Sequence, residues 1–363
     1  MDYPFPSISV NGRDVSVAGI IDGVEKPRTG FEETTFEFLR KWFRGNEEFH
    51  LQTSGSTGSP KRMVMQRWQM EASAEATRKA LQLNPGGNSL VCLDTRYVAG
   101  MMMLVRSFLF KMRVHAIEPT ANPLQALQPD LTFALAALVP YQLQKIVESD
   151  LQTRLSSIAT VIVGGSAVSP EIIQGLDAYS TRIFATYGMT ETLSHVALRR
   201  LNGAERSDVF HALPGVSLST DDRGCLKIEV SYLKRNVTTN DLVELIGDSA
   251  FRWLGRADFV INTGGVKISP EAVEARLDSF KSRLNLHGRF VVSSVPDQEF
   301  GERIVLVVEG EALEENVRLE IIDTFRQELP RFERPKEIFS IAVFPETVTG
   351  KIDRLSIRKL LTK

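Results

Sequence analysis

The chain has 363 residues, 43% hydrophobic and 24% charged, with a formal net charge of −2 and a pI of about 6.3. That length suits roughly two domains, and the composition excludes a disordered chain. The near-neutral balance gives no reason for the whole molecule to seek nucleic acid or an anionic membrane, so a phosphate-rich ligand has to be held by local groups.

Cys92 and Cys225 stand far apart without ligand spacing, so neither a disulfide framework nor a zinc site follows. The opening MDYPFPSISVNGRDV has no basic and apolar regions in succession and does not read as a secretory signal. LTFALAALVPYQL holds Pro140, GMMMLVRSFLF holds Arg106, and both fall short of the ~20 apolar residues a membrane span needs. The expectation is a soluble, cytoplasmic protein with no membrane partner.

The first 50 residues read as a small α/β lead-in. A helix is predicted from about Gln66 to Leu83, with Trp68, Ala72, Ala76 and Ala80 four apart on one face. IATVIV, ending at Val163, and RIFAT, ending at Thr186, read as buried strands alternating with helices, which points to α/β layering. Ser169-Pro170-Glu171 is a helix start: a serine cap, proline at the first position and an acid where the dipole favours one. Ser269-Pro270-Glu271 repeats it, with Val273 and Leu277 on the buried face that follows. CLKIEV, from Cys225 to Val230, alternates like a half-exposed strand. After about Arg256 the texture changes. RFVVSSV and RIVLVV flank a charged turn, and a helix with Val317, Ile321, Phe325 and Leu329 on one face stops at Pro330. The expected domains are residues 1–255 and 256–363.

Five segments hold chemistry-bearing residues. Thr53-Ser54-Gly55-Ser56-Thr57-Gly58-Ser59-Pro60-Lys61 joins two turn-forming glycines to hydroxyls and a lysine that suit phosphate oxygens. Its glycine spacing is not that of the NTPase P-loop. Ala185-Thr186-Tyr187-Gly188-Met189-Thr190-Glu191-Thr192 follows a predicted strand, where α/β folds collect ligands. Tyr187 offers an aromatic face, Thr190 a hydroxyl and Glu191 a hard oxygen for Mg²⁺. Asp241, in Thr239-Asn240-Asp241-Leu242, could accept from both hydroxyls of a ribose; a turn or cap residue is the plainer reading. Gly255 to Glu274 contains Arg256, Asp258, the Gly264-Gly265 pair and a capped helix. Thr347-Val348-Thr349-Gly350-Lys351-Ile352-Asp353-Arg354 ends the set with a lysine after Thr-Gly.

In this order the five segments resemble the adenylate-forming superfamily of acyl-CoA synthetases, peptide-synthetase adenylation domains and luciferases. The likeness runs from Thr53 to Lys351. It implies a large layered α/β domain, shortened at its N-terminus, and a small C-terminal α+β domain joined by a hinge. It also implies an AMP-forming acid–thiol ligase that uses ATP, Mg²⁺ and coenzyme A: acid and ATP give acyl-AMP and pyrophosphate, and CoA then takes the acyl group.

By the same resemblance, Thr53 to Lys61 cover the β- and γ-phosphates, Glu191 holds Mg²⁺, and Thr190 meets the α-phosphate. Gly164-Gly165-Ser166 and Tyr187, with Gly188 beside it, flank adenine. Asp241 and Arg256 hold the ribose, Asp258 is the hinge, and Lys351 bridges the acid and the reacting phosphate. Gly264 and Gly265 line a channel for pantetheine. Within the superfamily the chain is most similar to the o-succinylbenzoate–CoA ligases of menaquinone synthesis, through its short length, YGMTETLSHVALR and Asn262-Thr-Gly-Gly-Val-Lys.

In that reading Arg106 pairs with a substrate carboxylate, with Tyr97 and His195 nearby; an arginine snorkelling to solvent and a satisfied core histidine are the plain alternatives. Tyr97 stands where many relatives have histidine. Only 52 residues precede the first motif, fewer than in the relatives, which leads us to expect a reduced first sheet layer and an open acyl pocket or a homodimer partner covering it. A different aryl or fatty acid, a carrier-protein pantetheine as acceptor, and a non-catalytic adenylate-binding protein are the other functional readings.

Overall fold

The computed structural model describes residues 3–52, 62–233, 236–284, 286, 288–347 and 352–362. Thr53–Lys61 and Lys351 lie outside the described residues. Two compact units divide the chain. One comprises Met1–Leu218, Ile228–Val237 and Ile246–Phe251; the other comprises Ser219–Lys227, Thr238–Leu245 and Arg252–Lys363.

The first unit begins with the hairpin β1 (Ser7–Val10) and β2 (Arg13–Ser16), then helices α1 (Val17–Ile21) and α2 (Gly30–Phe43). The antiparallel pair β3 (Glu48–Gln52) and β4 (Arg62–Gln66) precedes α3 (Arg67–Leu81). Next come β5 (Asn88–Val91), α4 (Val98–Leu109), β6 (Arg113–Ala116), β7 (Phe133–Leu138), α5 (Pro140–Val147), β8 (Ile158–Val163) and α6 (Pro170–Gly175). β9 (Arg182–Gly188), β10 (His195–Arg200) and β11 (Val209–Ala212) follow.

Their hydrogen-bonded order is β11-β10-β9-β8-β7-β5-β6-β1-β2. The strands from β9 through β8, β7, β5 and β6 to β1 are mutually parallel. β7 and β8 are almost entirely apolar and buried, as strands covered on both faces must be. One face packs Leu90, Ala136, Val161, Val163 and Ile183 against Leu143 and Ile146 of α5 and against Leu176. The Ser107 hydroxyl of α4 meets Ser89 of β5 at 2.7 Å. Ser169 caps α6 through the Ile172 amide, as the sequence predicts.

The expected face of α3 is corrected. Met70, Ser73, Ala74, Ala76, Thr77 and Leu81 are buried, whereas Trp68 is 49% exposed. Alanines four apart do not choose a face by themselves. Burying Met70 and Leu81 removes more apolar area from water than Ala72 and Ala80 can. The aromatic lead-in packs on itself and on α4: Trp42 and Phe43 of α2 lie 6.3 and 5.0 Å from Phe108.

β12 (Val216–Thr220), β13 (Cys225–Val230), β14 (Val237–Ile246) and β15 (Ala250–Arg256) have residues in both units. The second unit continues with β16 (Ile261–Thr263), β17 (Val266–Ile268), α7 (Pro270–Ser279), β18 (Phe290–Asp297), β19 (Gly301–Glu309), α8 (Glu315–Glu328), β20 (Glu337–Ile341) and α9 (Arg354–Leu361).

β16 to β20 form one sheet, with β19 beside β16, β18 and β20. The alternation in β18 and β19 splits its core in two. Val292, Ile304, Leu306 and Val308 face Val273, Leu277, Ile321 and Phe325. Val291, Val295, Val305 and Val307 face Phe344 and Ile357. Ser269 caps α7 through the Ala272 amide. The α+β character expected of this region is therefore observed. No helix among the described residues is long and apolar enough to cross a membrane.

Candidate active site

Parallel strands present their carboxyl ends along one sheet edge, where loops collect ligands in α/β folds. Val163 of β8 pairs with Ala185 of β9. The loop Gly164-Gly165-Ser166 after β8 and the turn Met189-Thr190-Glu191 after β9 therefore leave the same edge. β10 returns antiparallel with His195 opposite Gly188, which puts His195 there too. The loop after β5 ends at Tyr97, the N-cap residue of α4, on that edge as well.

Gly188 is demanded by close backbone approach: a Cβ there would lie 2.4 Å from both the Ser194 carbonyl oxygen and His195 Cα. The turn is pinned by Thr192, a residue the sequence reading passed over. Its buried hydroxyl accepts from the Met189 amide at 3.0 Å and lies 2.7 Å from the Ser194 carbonyl oxygen. Leu193, held in the core, takes φ +71°, a conformation a bulky side chain adopts only under tertiary constraint. Thr190 and Glu191 thus sit on a fixed 3₁₀ turn with Glu191 exposed.

No group of three or more His, Cys, Asp or Glu among the described residues could hold a metal unaided. Mg²⁺ usually takes one or two carboxylates and completes its shell with water and substrate phosphates. Glu191, a lone exposed carboxylate beside a threonine hydroxyl, fits that donor set.

Tyr187 packs edge-on against Phe251 and Phe210, with ring centroids at 5.0 and 5.8 Å. Phe210 and Phe251 stack on each other at 5.4 Å, and the Arg199 guanidinium lies 5.2 Å from the Phe210 ring. This gives the β9 edge a stiff aromatic wall against which a flat base could lie.

Arg106 does not snorkel. It is 2% exposed, and among the described residues no carboxylate pairs with it. Nη2 donates to Ser194 Oγ at 3.0 Å and meets His195 Nδ1 at 3.4 Å, while Nε has no partner. Burial pulls its pKa down to about 10, opposed by Tyr232. Tyr232 is raised by burial, against the nearby Ser73 hydroxyl and Arg106; the Ser73 and Tyr232 hydroxyls complete no bond of regular geometry. His195 is held well below its ordinary range by burial first and by Arg106 second. Among the described residues, this buried cation and the two hydroxyls near it therefore have no anion to answer them, which is costly unless a ligand supplies one. Tyr97 is half-exposed, and no hydrogen bond joins it to Arg106 or His195.

In the second unit Asp241 is a mid-strand residue of β14, 7% exposed, not the turn or cap of the plainer reading. Trp253 Nε1 donates to it at 3.2 Å, and Arg256 Nη1 lies 3.6 Å away. Arg256 also pairs with Asp258 at 2.6 Å, and Asn240 donates to Asp258 at 3.0 Å. The structure thus brings Asp241, Arg256 and Asp258 into one polar cluster. Trp253 and Asn240 belong to it without having announced themselves in the sequence.

Gly264 and Gly265, with φ +58° and +80°, make the tight turn between β16 and β17 and are exposed. That two-residue turn needs positive φ at both places, which the glycine pair supplies to close the hairpin.

The known proteins decide what kind of enzyme has these parts. A family model described as AMP-binding enzyme matches residues 49–222. A solved acyl-CoA synthetase (AMP-forming)/AMP-acid ligase II-like protein from Dyadobacter fermentans is 39% identical, at TM-score 0.63, over 94% of this chain and 97% of its own. The chain belongs to the AMP-binding enzymes. A probable 2-succinylbenzoate–CoA ligase of Mycobacterium tuberculosis is 28% identical over 84% of this chain and 82% of its own length. The fold is also shared with Bacillus subtilis o-succinylbenzoate CoA synthetase, solved with the acyl-adenylate OSB-AMP, at TM-score 0.70 and 18% identity over 85% of this chain and 68% of that one. The superfamily resemblance, the layered architecture and the activity class of an AMP-forming acid–CoA ligase are thereby borne out.

Proposed function

We propose that the protein joins a carboxylic acid to coenzyme A in two half-reactions, and that the acid has a second carboxylate, as 2-succinylbenzoate does. The observation behind this substrate class is Arg106, a buried guanidinium with no carboxylate paired to it among the described residues. A dicarboxylate would give it the bidentate partner such a group is shaped for.

In the first half-reaction a carboxylate oxygen attacks the α-phosphorus of ATP and pyrophosphate leaves. Both reactants are anions, so the barrier lies largely in bringing like charges together. Glu191 would hold Mg²⁺, which when bound would supply neutralising charge to the phosphates. The Thr190 hydroxyl meets the α-phosphate, and Thr53–Lys61 with their hydroxyls and lysine take the β- and γ-phosphates. Tyr187 and Gly164-Gly165-Ser166, with Gly188, accommodate adenine, while Asp241 and Arg256 hold the ribose. Lys351 places its ammonium between the acid and the reacting phosphate.

In the second half-reaction the CoA sulfur attacks the acyl carbon, the C–O bond to AMP breaks, and the thiol proton passes to solvent. Residues 256–363 would pivot at Asp258 so that Gly264-Gly265 replaces Lys351 at the reacting centre.

ATP–pyrophosphate exchange over aryl, succinyl-aryl and fatty acids tests the acid. Lys351→Ala tests the mechanism. It should abolish exchange yet still form thioester from supplied acyl-adenylate. Equal loss of both half-reactions would remove Lys351 from its assigned role. Exchange with fatty acids alone would remove the dicarboxylate.

A further inference from the structure

A buried guanidinium binds well only if its plane is set before the ligand arrives, and one bond to a serine leaves it free to swivel. The second contact on Arg106 is to His195 Nδ1, and the protons along that contact can be placed. Thr77 Oγ1 lies 3.0 Å from the Ser73 carbonyl oxygen, a pure acceptor, so the hydroxyl proton goes there. The same hydroxyl, 3.1 Å from His195 Nε2, then has only lone pairs to offer, so Nε2 holds the imidazole proton.

Nδ1 is left as an acceptor toward Arg106. The ring is 6% exposed and Thr77 is fully buried, which keeps water from taking either partner's place. The chain of bonds joins α3, through Ser73 and Thr77, to the start of β10 and on to α4.

We infer that His195 is a positioning residue: as the neutral Nε2–H tautomer, fixed by Thr77, it orients Arg106 for the second carboxylate of the acid and does not touch the acid itself. This rests on the dicarboxylate reading given above. His195 then sets specificity at one remove. Its loss should weaken only acids that use Arg106, whereas a residue needed for the fold alone would affect every substrate.

The test compares KM and kcat of the full-length protein for 2-succinylbenzoate and for 4-oxo-4-phenylbutanoate, which lacks the ring carboxylate, by pyrophosphate release. Arg106→Met should raise KM for the first acid about 100-fold, the scale of a lost charge-assisted contact, and leave the second acid unchanged. His195→Leu should raise KM for the first acid about 10-fold, with KM for ATP and for the second acid within about twofold. His195→Gln, whose amide offers one acceptor and one donor, should restore most of the loss. Thr77→Val, remote from Arg106, should give a smaller rise of the same kind.

If Arg106→Met discriminates between the acids while His195→Leu and Thr77→Val weaken both alike or neither, the inference fails and the dicarboxylate reading stands. If Arg106→Met does not discriminate, the reading fails and takes the inference with it. Should His195→Leu not fold, the glutamine and valine variants decide by the same comparison.

Discussion

Replacing Arg106 by methionine should make the empty protein more stable. The side chain is 2% exposed, and burial brings its pKa down to about 10. At 1.36 kcal/mol per pKa unit that depression sets roughly 3 kcal/mol against the charged form. The sign follows from the protonation states. Arginine is charged in the unfolded chain at every ordinary pH, and the fold disfavours that charge, so the cost is present throughout neutral pH and fades only above about pH 10. Methionine fills a similar volume without the charge. Against the gain stands the bond to Ser194 Oγ at 3.0 Å, worth about 1 kcal/mol, and a similar penalty for leaving His195 Nδ1 without a donor.

The net expectation is a gain of about 1 kcal/mol, in line with other replacements of buried ions by apolar residues. Urea titration, with midpoint and slope compared between the two proteins, measures it. 2-Succinylbenzoate at a hundred times the wild-type Kd should reverse the order, because the wild-type protein gains about 2.7 kcal/mol and the variant, binding about 100-fold more weakly, only about 0.4 kcal/mol. A loss of more than about 2 kcal/mol in Arg106→Met would refute the reasoning, since it would mean that the guanidinium is fully compensated inside the fold.

Gly188→Ala should lower stability by about 1–3 kcal/mol, read as a reduced melting temperature, because its Cβ would meet backbone at 2.4 Å with no flexible side chain to yield. Asp241→Asn should raise KM for ATP about 10-fold, the weight of a charged hydrogen bond to a ribose hydroxyl, with thermal unfolding nearly unchanged because Trp253 can still donate to an amide oxygen. Arg289 and the Phe344 amide hold the Glu309 carboxyl at about 2, below its ordinary 4.5. That depressed value makes the pair's stabilisation complete above pH 4.5 and lost as pH falls toward 2. Acid unfolding followed by circular dichroism should therefore begin at higher pH in Arg289→Leu, with the effect softened by the pair's exposure.

Much of this architecture was legible because it is local. The serine caps at Ser169 and Ser269, the strands β18 and β19 and the apolar runs of β8 and β9 are each decided within a few residues. The edge on which Gly164, Tyr187 and Glu191 meet follows from strand direction alone. The face of α3 was not legible, because its alanines fit either side and the choice belongs to the neighbours. Nor were the surroundings of Arg106. Thr77 and His195 are 118 residues apart in sequence, and nothing in a lone threonine on a helix says that it fixes a tautomer. Trp253 stayed hidden for the same reason, as its indole finds Asp241 only once β14 and β15 lie together.

That indole has a practical consequence. The chain has three tryptophans: Trp42 is enclosed in the aromatic lead-in, Trp68 is half in water, and Trp253 touches the carboxylate assigned to the ribose. Sugar hydroxyls arriving at Asp241 would compete for the very oxygen to which the ring donates, altering the polarity around one chromophore in three. If Asp241 holds the ribose as proposed, Trp253 would report nucleotide arrival by its emission without any attached dye.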